Sequence, residues 1–68
     1  MNAMKNKTLN LLLNILPEDE ILRILESFNT SGKQMEASKE LSLLVFSKLG
    51  LDTLGCYNLL KELNKEFQ

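Results

Sequence analysis

The sequence predicts an all-α protein, a small bundle of about four short helices forming one domain over residues 1–68. Leu, Lys, Glu and Asn dominate, whereas Val, Ile, Thr, Tyr and Phe are sparse and never alternate with polar residues as a half-buried strand requires. Leucines recur at helical spacing, and Pro17, the Asn29–Gly32 run and Gly50 cut the chain into four segments.

In the first segment, residues 4–15, Leu9, Leu12, Leu13 and Leu16 stand at i, i+3, i+4 and i+7, one apolar stripe that Leu11 and Ile15 widen. Asn2, Asn6, Asn10 and Asn14 recur every four residues and predict a solvated side. Pro17 drives Leu16 out of helical geometry and suits the first position of a second helix over 17–28. There Glu18, Asp19 and Glu20 complement the positive end of the helix dipole, and Ile21, Ile24, Leu25 and Phe28 form the buried stripe.

Asn29-Thr30-Ser31-Gly32 reads as a loop, and Ser31 followed by Gln34 matches a capping box opening a third helix. Ala37, Leu41, Leu44, Val45 and Leu49 form its main stripe, with Met35, Leu43 and Phe46 on the flanks. So apolar a helix is expected at the centre, touched on several sides. Gly50 ends it in the left-handed conformation, and Asp52 caps a fourth helix whose buried face is Cys56, Leu59, Leu60, Leu63 and Phe67. Leu51 and Cys56 occupy the two positions of a hydrophobic staple, which gives the cysteine a packing role.

Composition excludes several kinds of chemistry. With no His and one Cys, the chain has neither a Ser-His or Cys-His pair nor a Cys/His metal site, and its three scattered glycines form no phosphate-cradling loop. No catalysis, cofactor or small-molecule substrate is expected. No stretch approaches 18 apolar residues, so no membrane span is expected, and the lysines before Leu11–Leu16 come without a signal-peptide cleavage site. The lone thiol fits a reduced, cytoplasmic setting, and the Asn and Lys content hints at an AT-rich phage, plasmid or bacterial gene.

The segment Val45 to Leu63 resembles a helix-turn-helix, the general DNA-reading unit, in which a helix ends at Gly, a small apolar residue follows and a second helix enters the major groove. Leu49, Gly50 and Leu51 match the turn, and Cys56, Leu59 and Leu60 match the buried positions of the recognition helix. Phe46 stands where the motif has a small residue, which predicts a wider crossing or an altered fold. The resemblance implies base and phosphate contacts from Thr53, Asn58, Lys61 and Lys48.

Charge does not favour that use. The formal net charge is -1, and residues 51–68, which hold the recognition helix, carry -1. The leading expectation is therefore a non-enzymatic regulator that binds a larger protein, a transcription factor or other nucleic-acid machine, through Leu54 and Tyr57 facing outward on the fourth helix. Leu11 and Ile15 on the first helix supply a second surface, which a homodimer would cover, since a chain of this size buries only about 60% of its extended surface. The alternatives are a dimeric DNA-binding regulator and a structural assembly or scaffold subunit.

Overall fold

A computed structural model describes residues 7–67, the side chains of Thr8, Leu9 and Phe67 excepted. The expectations for Asn2, Asn6, Leu9 and Phe67 lie outside the described residues. Four helices, α1 (Lys7–Ile15), α2 (Glu18–Phe28), α3 (Gln34–Leu49) and α4 (Thr53–Phe67), account for almost all of the rest, with no strand among them.

Helix α1 closes with the Leu16 N–H on the Leu12 carbonyl at 3.0 Å. Leu12 is fully buried, Leu13 and Leu16 are half-buried against the core, and Asn10 and Asn14 face solvent. Pro17, with φ -60° and ψ 150°, occupies the N-cap of α2 instead of its first turn, so that helix starts one residue later than expected. The Pro17 carbonyl still accepts the N–H groups of Glu20 and Ile21 at 3.1 Å. Ile21, Ile24, Leu25 and Phe28 are all buried, as their spacing predicts.

The expected Ser31 capping box does not form. Lys33 holds the N-cap of α3 and no side chain caps it. The Lys33 N–H bonds to the Thr30 carbonyl at 3.0 Å across a turn in which Gly32 has φ +79°. Ser31 is thereby spent on the second position of a turn that demands glycine at its third, two residues before the helix can be capped. Thr30 turns backward, its hydroxyl donating to the Glu26 carbonyl at 3.1 Å.

Helix α3 is central, packing most extensively on α4, then on α2, and lightly on α1. It buries Ala37, Ser38, Leu41 and Val45, and the Ser38 hydroxyl is satisfied by the Gln34 carbonyl at 2.8 Å. The corner into α4 forms as expected. Gly50 has φ +68° and ψ 21°, and its N–H closes on the Phe46 carbonyl at 2.7 Å. Asp52 caps α4 by accepting the Gly55 N–H at 2.8 Å, and Leu51 packs on the core beside fully buried Cys56. Ser42 adds a tie by donating to the Leu51 carbonyl at 2.9 Å.

Cys56, Leu59, Leu60 and Leu63 complete one core with the α2 and α3 side chains. The surface of 4496 Å² is close to the roughly 4,400 Å² expected of a compact monomer of this mass. A Cβ at position 50 would meet nothing within 4 Å, so Gly50→Ala carries only the left-handed penalty of about 1 kcal/mol. Loss of the Asp52 cap in Asp52→Ala costs a similar amount, about 1 kcal/mol. Urea unfolding followed by helical circular dichroism checks both, and unchanged midpoints would contradict the corner.

Candidate functional site

The corner places the α3 and α4 axes at 102° to each other. This lies within the roughly 90–120° range of a helix-turn-helix. The wider crossing expected from Phe46 is not seen, because its ring turns into solvent, 58% exposed, and takes no part in the approach of the two helices.

On α4, Leu54 faces outward as expected, 64% exposed. Tyr57 does not. Its position lies at the edge of the buried stripe, where the end of α2 comes alongside, and its ring meets Phe28 edge-on with centroids 5.4 Å apart and planes at 62°. Half-buried there, it serves the core, and the Lys61 ammonium lies 5.6 Å from its ring centre. Asn58, Lys61 and Lys48 are exposed and Thr53 is half-buried. Asp52 sets a carboxylate at the start of the same helix, where a phosphate would approach. On α1, Leu11 is exposed and Ile15 half-buried.

The larger apolar surface lies on α3, where the sequence led to the expectation of covered flanks. Met35, Lys39, Leu43 and Phe46 run along the side of α3 away from Ala37, Leu41 and Val45. Leu43 is 79% exposed and Met35 56% exposed. Leu44, assigned to the main stripe by its spacing, is 42% exposed on the α2 side. The three remaining helices cover only one half of α3, so an apolar arc wider than that half is left in water. The signal was present in the spacing: Leu43 stands directly opposite the Leu41–Val45 line on a helical projection.

Charged groups flank this face. Arg23 on α2 donates to Glu20, at 2.6 Å, and to Glu40 of α3, bridging the two helices. Its hydrogen bond holds the Glu20 carboxyl below the usual carboxylate value. Glu36 pairs with Lys33 at 3.5 Å. A second tie, unforeseen in the sequence, joins the carboxamides of Asn29 and Asn64, each donating to the other at 2.9 and 2.8 Å.

Among the described residues no cluster of three His, Cys, Asp or Glu side chains is placed to hold a metal ion, and no single helix is long and apolar enough to cross a membrane. No family model, curated protein or solved structure matches this chain.

Burial pushes the Cys56 thiol up from 9.0 to about 11, with the Asp52 charge acting in the same direction and the Ser42 hydroxyl against it. The native thiol, fully buried as well as held protonated, is therefore expected to react with a disulfide reagent at pH 8 at least about a hundredfold more slowly than in urea. Because the folded chain keeps this proton while the unfolded chain loses it, stability falls as pH rises from about 9 to about 11. The fall is shallower in Cys56→Ala; equal slopes in urea titrations across that range would contradict the assignment.

Proposed function

We propose that this chain is a small non-enzymatic regulator that binds a larger protein, possessing no chemistry of its own and acting by occupying a surface of its target. The observation that carries the reading is the outer face of α3, with Leu43 79% exposed between Met35 and Phe46. Large apolar side chains grouped on a rigid helix are the usual anchors of a protein interface, and an α3 face of this kind docks into an apolar groove or against another helix. A transcription factor or another nucleic-acid machine is the kind of target we favour. Leu54 offers a further contact on α4, whereas Tyr57 is engaged against Phe28.

The test compares the chain with a Leu43→Lys/Phe46→Lys variant. Both positions are exposed, so helical content and unfolding midpoint should be retained. A partner captured from nuclease-treated lysate of the source cells should bind the purified variant roughly thirtyfold more weakly or worse, the loss expected of hot-spot side chains. Its activity should change on titration with the original chain and not with the variant. Equal binding by both chains would refute the face.

The 102° corner favours a second reading, a dimeric DNA-binding regulator paired through α1, in which α4 enters the major groove with Thr53 and Asn58 near base edges and Lys48 and Lys61 near phosphate. It predicts DNA affinity that falls steeply between low and physiological salt and weakens in Lys48→Ala and Lys61→Ala. Binding that ignores salt would eliminate it.

A further inference from the structure

We propose that the three residues between α3 and α4 are an exchange hinge: the two helices merge into one over residues 34–67, and two such chains swap their α4 segments to form an elongated dimer. The proposal is independent of the docking role of the α3 face. It rests on the phase of the two helices. Val45, buried on α3, and Cys56, buried on α4, stand eleven residues apart, about three helical turns, and Leu41 and Leu59 stand eighteen apart, about five turns. Continued through Gly50, Leu51 and Asp52, the helix therefore carries Ala37, Leu41, Val45, Cys56, Leu59 and Leu63 along one side. A corner longer or shorter by two residues would turn the two stripes to opposite sides.

In the bent chain these stripes close on each other across the corner. In the straight helix they point the same way and no longer meet within one chain, and a helix over 34–67, about 50 Å long, exceeds the 33 Å extent of the compact chain. A second copy restores the lost packing, its α4 taking the place of the first chain's α4 on α3, and the reverse. α2 stays with its own α3, on which it packs more extensively than on α4, so Asn29 and Asn64 then pair between chains. Because the α3–α4 packing recurs between copies, the hinge and the concentration decide between the two forms. Two residues hold the bend: Gly50 at φ +68° and Asp52 as the cap of α4. In the straight helix Gly50 weakens the middle, and Asp52, seven residues after Val45 and four before Cys56, sets a carboxylate in the apolar stripe. No proline stands in the corner to forbid straightening. Short hinges of this kind invite exchange.

The experiment refolds the full chain from urea at micromolar and at millimolar concentration and follows its mass by sedimentation. Refolding at millimolar concentration should give a dimer that outlasts dilution, since separation requires both α4 segments to leave their partners. Gly50→Ala removes the left-handed preference of the bent form and favours the straight one in both chains, and should tighten the dimer by about a hundredfold or more. Thr53 is the first residue of α4, where proline suits the bent form and interrupts the straight helix, so Gly50→Ala/Thr53→Pro should return to monomer. Circular dichroism confirms that each variant is folded. Spin labels on Glu36→Cys and Lys65→Cys, with Cys56→Ala and the labelled chain diluted into unlabelled chain, should move from within the 33 Å extent of the monomer to about 43 Å in the dimer. A folded Gly50→Ala chain that stays monomeric at millimolar concentration, or a dimer that keeps the short separation or survives Thr53→Pro, overturns the proposal. A dimer of short separation that Leu43→Lys abolishes is paired through the outer α3 face and overturns it as well.

Discussion

The angle between α3 and α4 is the constraint from which the remaining arrangement follows. It is set in three residues: Gly50 reverses the chain in a conformation other residues resist, Leu51 pins the corner to the core, and Asp52 starts the next helix. With the axes turned by 102°, α4 crosses α3 instead of running beside it, and Ser42 holds the corner down through the Leu51 carbonyl. α2 then packs on α3 from another side, and α1 lies across α3 and α4. No other element among the described residues covers the opposite half of α3. The exposed stripe is thus a product of the same corner that assembles the core, and cannot be removed by a local adjustment.

Much of this was legible where a local physical rule decides the outcome. The left-handed Gly50, the Asp52 cap, the Leu51–Cys56 pair and the buried stripe of α2 each depend on residues a few positions apart, and each stands where the spacing places it. The departures occur where longer-range packing or a competing turn decides. Ser31 resembles a helix cap only until Gly32 is recognised as the third residue of a turn that ends at Lys33. Tyr57 reads as outward from the helical projection, and only the arrival of Phe28 beside α4 turns its ring inward. Met35, Leu43 and Phe46 read as covered because an apolar helix is expected to be surrounded, yet how much of α3 three short neighbours can enclose is a property of their arrangement, which periodicity does not contain. The largest exposed apolar surface therefore lies on α3 and not on α4, although the helices themselves were foreseen.

Electrostatics separates the two sides of α3 further. Arg23, shared between Glu20 and Glu40, belongs to the seam with α2, and Lys33 with Glu36 to the first turn. These exposed pairs contribute little to stability individually. Counted with Lys39, the charges around the stripe cancel, Arg23, Lys33 and Lys39 against Glu20, Glu36 and Glu40, so the face is apolar without a local excess of either sign.

The amide bridge between Asn29 and Asn64 acts on a different property. Its members stand 35 positions apart, about half the chain, one at the end of α2 and the other near the end of α4. Neither group titrates, so the bridge is indifferent to pH and, being uncharged, almost indifferent to salt. It fastens the end of α2 to α4 directly, so the two outer helices are joined by a link that does not pass through α3 and that neither acid nor salt loosens.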